Sequence, residues 1–169
     1  MLDKYVQEHT IKRYLSDIKV KKNELFERVI NSTANQFDIL KPAFMAEAEV
    51  DYKNALRWAS RLNIQQRRDE ARNTIICLVC ESDQEFDVLE FCQEIKTIKT
   101  HSLRRSSYLF LVNNCLERVV VTKEQFKRLR KTKNSISDGA SPCLILSKLI
   151  EIAIKHSICS EHELGNLKN

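Results

Sequence analysis

Two glycines and two prolines are all that punctuate this chain of 169 residues, where average usage would place about 12 and about 8. Positive φ angles and rigid turns therefore have few places to form. Sandwiches and barrels need a turn roughly every 8–12 residues, and the scarcity argues against them. It argues equally against enzymes that cradle phosphate in a glycine-rich loop, because Gly139 and Gly165 stand far apart. At 43% hydrophobic and 30% charged residues the composition is neither disordered nor membrane-embedded. The expectation is one all-α domain over residues 1–169, with a possible loop break at 132–142.

Apolar residues recur at helical spacing along most of the chain. Leu2, Tyr5, Val6, Ile11, Tyr14, Leu15 and Ile18 predict a first helix, and Leu25, Phe26, Val29 and Ile30 a short second one. A third is expected over Asp38–Glu49, with Pro42 tolerated in its first turn, where no intrahelical N–H is needed. Asp51 can cap the next, through Leu62, and another carries Ala71, Ile75, Leu78 and Val79. Further helices are expected from about Asp83 (Phe86, Leu89, Cys92, Ile95) and from about Ser102 (Tyr108, Leu111, Val112, Cys115, Leu116). Thr122 with Gln125 three residues later matches a capping box. Pro142–His156 is apolar nearly all round and is expected to be buried on more than one side. Roughly nine helices result.

Two central helix pairs echo one another. Ala55, Leu56, Trp58, Ala59 and Leu62 precede Arg67-Arg68 and then Ala71, Ile75, Leu78 and Val79. Val88, Leu89, Phe91, Cys92 and Ile95 precede Arg104-Arg105 and then Tyr108, Val112, Cys115 and Leu116. The offset is 33 residues for the first helices and 37 for the second, a spacing at which helical solenoids repeat. Over about Asp51 to Glu117 the pair is similar to tetratricopeptide-like repeats, with Trp58, Ala59 and Ala71 at positions where such repeats place aromatic and small residues. It is a degenerate form, lacking the small Gly of the first helix and the Pro after the second. The resemblance implies a protein-interaction scaffold without catalytic residues. Stacked antiparallel hairpins therefore stand as the expected architecture, either as a regular α-solenoid-like repeat or as an irregular bundle.

The chemistry-bearing residues are sparse. Cys77-Leu78-Val79-Cys80 is a CxxC, but it falls late in an apolar helix, where the dipole opposes a thiolate, so core packing is the better reading. His156, Cys159 and His162 are spaced three apart and with Cys77 and Cys80 could hold zinc, if the fold brought the clusters together. None of His9, His101, His156 and His162 lies in a recognisable catalytic context. Arg104-Arg105-Ser106-Ser107 reads as a site for a basic-directed kinase. No enzymatic activity, metal or cofactor is expected.

Charge offers more. The net charge is +5, and Lys123, Lys127, Arg128, Arg130, Lys131 and Lys133 crowd eleven residues that hold one acid, Glu124. Lys12, Arg13, Lys19, Lys21 and Lys22 form a second basic group. No signal core precedes the six cysteines and no run of about 18 apolar residues occurs, which predicts a reducing, cytoplasmic setting and no membrane span. The expected role is non-enzymatic binding of another protein, as an adaptor or regulatory module of a larger assembly. Arg61, Arg67, Arg68, Arg104 and Arg105 are the expected contacts, since arginine pairs bidentately with carboxylates. The alternative is nucleic-acid binding through the Lys123–Lys133 helix.

Overall fold

The computed structural model describes residues 22–24, 27, 40–136 and 142–158. The helix expected over Leu2–Ile18 and nearly all of the Leu25–Ile30 helix lie outside them, as do Cys159 and His162. The chain divides into two compact units, Met1–Gln36 and Phe37–Asn169. In the first, residues 22–24 and 27 are helical.

The second unit is all-α among the described residues. Its helices are α1 (Lys41–Ser60), α2 (Gln65–Glu81), α3 (Val88–Thr97), α4 (His101–Glu117), α5 (Lys123–Lys133) and α6 (Pro142–Lys155). The two helices expected on either side of Asp51 are the halves of α1, joined at a kink where Asp51 is extended (φ −151°, ψ 88°). Asp51 Oδ1 accepts from Asn54 N–H (3.0 Å), so this residue caps the second half, as its position suggests. The kink leaves carbonyls without their next-turn partner, and Gln84 Nε2 supplies donors to Ala48 O (3.2 Å) and Glu49 O (2.7 Å). Pro42 sits in the first turn of α1. The Thr122–Gln125 capping box of α5 forms in both directions.

One expected start shifts. The helix placed from about Asp83 begins at Val88, because Asp87 Oδ1 accepts from Leu89 N–H (2.8 Å) and makes the better cap. Residues 83–87 instead run without helix. There the ring of Phe86 stacks on Phe91 (4.8 Å between centroids), which meets Tyr52 edge-on (5.4 Å).

The extensive packing joins helices one or two places apart in the chain: α1 to α2, α2 to α4, α3 to α5, α4 to α6, and neighbours within pairs. That is the connectivity of hairpins laid side by side. Long-range hydrogen bonds give the register. Ser107 Oγ donates to Asn73 Oδ1, Asn114 Nδ2 to Cys80 O, and Arg118 Nη1 to Glu81 O, at separations of 34, 34 and 37 residues. Rising together along both helices, they make α2 and α4 parallel. Lys155 Nζ on the carbonyls of Leu116 and Glu117, and His156 beside Cys115 O, bring the end of α6 to the end of α4.

The core is formed by the inward stripes of these helices, including Phe44, Leu62, Ile75, Ile76, Phe91, Ile95, Tyr108, Leu111, Leu129, Leu149 and Ile152, all 2% exposed or less. Fully burying one such side chain stabilises by roughly 1.5–3 kcal/mol. Trp58, Ala59 and Ala71 lie in this core as well. The expectation that α6 is buried on more than one side needs correcting. Ile145, Leu149, Ile152 and Ala153 are buried, whereas Leu144 and Ile154 are 49% and 59% exposed. Among the described residues α6 packs on α4 and α5, which leaves its other face open. Among the described residues no helix is long and apolar enough to cross a membrane.

Candidate functional site

The arginines expected to meet a partner fall at the end of the stack where α2 and α4 begin. Their surroundings differ sharply. Arg61 is exposed, with its guanidinium 4.6 Å over the Trp58 ring. Arg67 is buried. Arg68 is half-buried and holds the α1–α2 turn, donating from Nη1 to Leu62 O (2.5 Å) and Asn63 O (3.2 Å) and from Nη2 to Gln65 Oε1 (2.9 Å). Arg104 and Arg105 are half-buried, and Arg104 Nη2 donates to His101 Nδ1 (3.0 Å).

Between these arginines sits Asp69, which the sequence does not single out. It is 0% exposed. Its Oδ2 accepts from Lys99 N–H (3.0 Å), Thr100 N–H (2.8 Å) and Thr100 Oγ1 (2.9 Å), and its Oδ1 from Gln65 Nε2 (2.6 Å). A carboxylate of α2 thus satisfies the backbone donors entering α4, which has no side-chain cap of its own. Arg72 adds a second tie, pairing through Nε with Glu94 Oε2 at 3.0 Å and donating to Ser60 Oγ. These groups are structural. Of the two serines in the expected kinase site, Ser107 is fully buried with its hydroxyl bonded to Asn73, whereas Ser106 is half-buried.

The thiols are core side chains. Cys80, Cys92 and Cys115 are buried and Cys77 is half-buried. Burial pushes Cys77 and Cys92 up to about 11 and Cys115 up to about 12, and raises Cys80 strongly. Such thiols stay protonated at neutral pH, where the thiol is a far weaker nucleophile than the thiolate. Cys77 Sγ faces Asn73 Oδ1 and Ser106 Oγ, whereas His156 Nε2 lies 3.3 Å from Cys115 O. Among the described residues no group of three or more His, Cys, Asp or Glu side chains could hold a metal.

The basic helix presents a different picture. Phe126, Leu129 and Thr132 are buried on one side of α5. Lys123, Lys127, Arg130 and Lys131 are exposed on the other, while Arg128 and Lys133 flank them half-buried. Among the described residues none of Lys127, Arg128, Arg130, Lys131 and Lys133 has a carboxylate partner. The two acids of neighbouring α3 are engaged elsewhere, Glu90 with Lys53 and Glu94 with Arg72.

At the opposite end from the arginines, an open cleft of about 370 Å³ separates the α2–α3 connection from the end of α4. Ser82, Asp83, Gln84, Glu85 and Phe86 line one side and Asn114, Arg118 and Val119 the other. Asn114 is 5% exposed, and its Oδ1 is buried with no hydrogen-bond partner among the described residues. Orphaned buried acceptors are uncommon and call for a donor. Arg118 Nη1 lies across the rim, donating to Glu81 O, Ser82 O and Asp83 Oδ1 (3.2–3.3 Å). Val120, next along the chain, is 78% exposed. The one sequence cue to this site is an amide pair, Asn113-Asn114, set in an otherwise apolar helical run.

Compared with protein families, with curated proteins and with solved structures, the chain matches none.

Proposed function

We propose that this chain is a non-enzymatic protein-binding module, serving as an adaptor or regulatory part of a larger assembly. The observation that supports it most directly is the cleft where the α2–α3 connection meets the end of α4. Apart from helical Asn114, its walls are non-helical backbone at residues 82–86 and 118–119, and backbone outside helices keeps N–H and C=O groups available to a second polypeptide. Arg118 and Asp83 on the rim offer polar groups to a partner, and half-buried Phe86 with exposed Val120, which follows the lining residue Val119, offers apolar contact. The protonated, buried thiols fit a binding role better than a catalytic one. At the other end of the stack Arg61, Arg104 and Arg105 retain enough exposure to add contacts, whereas Arg67 and Arg68 are engaged within the fold.

The test is comparative capture from nuclease-treated extract of the source organism. Intact chain, Val120→Asp, Asn114→Leu and an α5 charge-reversed variant are immobilised in parallel. A protein retained by the intact and α5-reversed chains, and lost from both cleft variants, supports the proposal. Identical recovery on all four surfaces overturns it.

A further inference from the structure

We infer that the outward face of α5 is a docking surface for the phosphodiester backbone of nucleic acid, separate from the protein-binding cleft and independent of it. Lys123, Lys127, Arg130 and Lys131 fall at i, i+4, i+7 and i+8, which places them on one arc of the helix. They span about 12 Å of axis at 1.5 Å per residue. Duplex DNA offers about one phosphate per 1.7 Å of its own axis, so a stripe of that length meets several charges at once. Glu124 is the single acid in the helix.

Three observations favour phosphates over an acidic protein. First, Lys127, Arg128, Arg130, Lys131 and Lys133 have no carboxylate partner among the described residues, although carboxylates of the neighbouring α3 engage other bases. Second, protein interfaces draw their affinity from buried apolar or aromatic anchors, and none of the exposed large apolar residues (Val50, Ile64, Val120, Leu144, Ile154) lies on α5. Isolated ion pairs in open solvent contribute little by themselves, whereas a polyanion that sheds condensed counterions binds by charge alone. Third, the helix is held rigidly at both levels. The capping box fixes its first turn, and Tyr108 Oη donates to Leu129 O from within the core (2.9 Å). The bases therefore project from a fixed platform.

The same surface limits what can be read. Phe126, the aromatic residue of α5, is buried, so no ring is offered for stacking on bases. Binding is accordingly independent of sequence, and single- and double-stranded forms differ through charge density alone.

The experiment is fluorescence anisotropy of the intact chain with labelled 20-mers of arbitrary sequence, duplex and single-stranded, titrated from 50 to 200 mM salt. With about four phosphate contacts, duplex affinity falls about a hundredfold over that range, and somewhat less for the single strand. The neutral variant Lys127→Gln/Arg130→Gln/Lys131→Gln lowers the logarithmic salt slope by about 3 for duplex, and Lys127→Glu/Arg130→Glu/Lys131→Glu abolishes binding. Val120→Asp leaves both unchanged, which separates this inference from the cleft. Absence of binding at 50 mM salt overturns it, as does a salt slope that the glutamine variant does not alter. Poly-glutamate of matched charge competing as well as the oligonucleotide also overturns it, since that result assigns α5 to an acidic polypeptide. Circular dichroism of each variant confirms the helical fold, and the salt titration of the unmodified chain stands without any variant.

Discussion

At the start of α4 a buried carboxylate gathers donors from two stretches of chain, whereas along α5 the bases from Lys127 to Lys133 meet no carboxylate among the described residues. Asp69 accepts from Gln65, Lys99 and Thr100, and Arg72 beside it pairs with Glu94. Lys127, Arg130 and Lys131 stand in solvent and pair with no acid among the described residues. Both regions are rich in charge, and by composition they look alike. The difference shows that a charged residue holds this fold together when its partners come from another helix. It is available to an outside ligand when the surrounding acids are already engaged.

The largest expected effect lies at the buried end of that contrast. Asp69→Ala leaves the N–H groups of Lys99 and Thr100 without their acceptor inside the stack. Urea unfolding should show a loss of about 2–5 kcal/mol, since each hydrogen bond to a charged group contributes roughly 1.5–3 and these two are part-buried. A loss below about 1 kcal/mol would mean that Asp69 is not the tie between α2 and α4.

Next comes alkaline pH, which probes the core shared by both regions. The ordinary thiol value is 9.0, and Cys92 and Cys115 are raised to about 11 and about 12 by burial. Above about pH 9 the unfolded chain releases protons that the native chain keeps. The thiol contribution is therefore complete below pH 9 and is lost as pH rises toward 11, at about 1.4 kcal/mol per pH unit for each thiol. Melting temperature measured at pH 8, 9, 10 and 11 should fall progressively, and Cys92→Ala should flatten that fall by one thiol's share.

Smaller still is the cap of α5. Thr122→Ala removes the side chain that accepts from Gln125 N–H, for a loss of about 1 kcal/mol by thermal or urea unfolding. At the bottom of the scale, reversing Lys127, Arg130 and Lys131 should change stability by less than about 0.5 kcal/mol. If that triple variant instead unfolded as readily as Asp69→Ala, the contrast between the two regions would collapse.

Local features were legible before any coordinates. Pro42 in a first turn, Asp51 as a cap and the reciprocal Thr122–Gln125 box all depend on residues within three or four positions of one another. The cap of α3 was missed by four residues, because Asp83 and Asp87 carry the same side chain and only the packing of Phe86 on Phe91 selects between them. Asp69 and Asn114 were invisible for a related reason, since their partners lie about 30 to 34 residues away. Arg67 and Arg68 are adjacent and chemically identical, yet one is buried and the other clasps a turn. Helical phase separates them, and phase is set by tertiary contacts that a sequence does not spell out.

The Gln84 amide that bonds Ala48 and Glu49 at the bend in α1 also lines the cleft. One side chain thus fastens the bend of α1 to the segment that forms a wall of the cleft, so Gln84→Ala would take the donor from both carbonyls and loosen that wall at once.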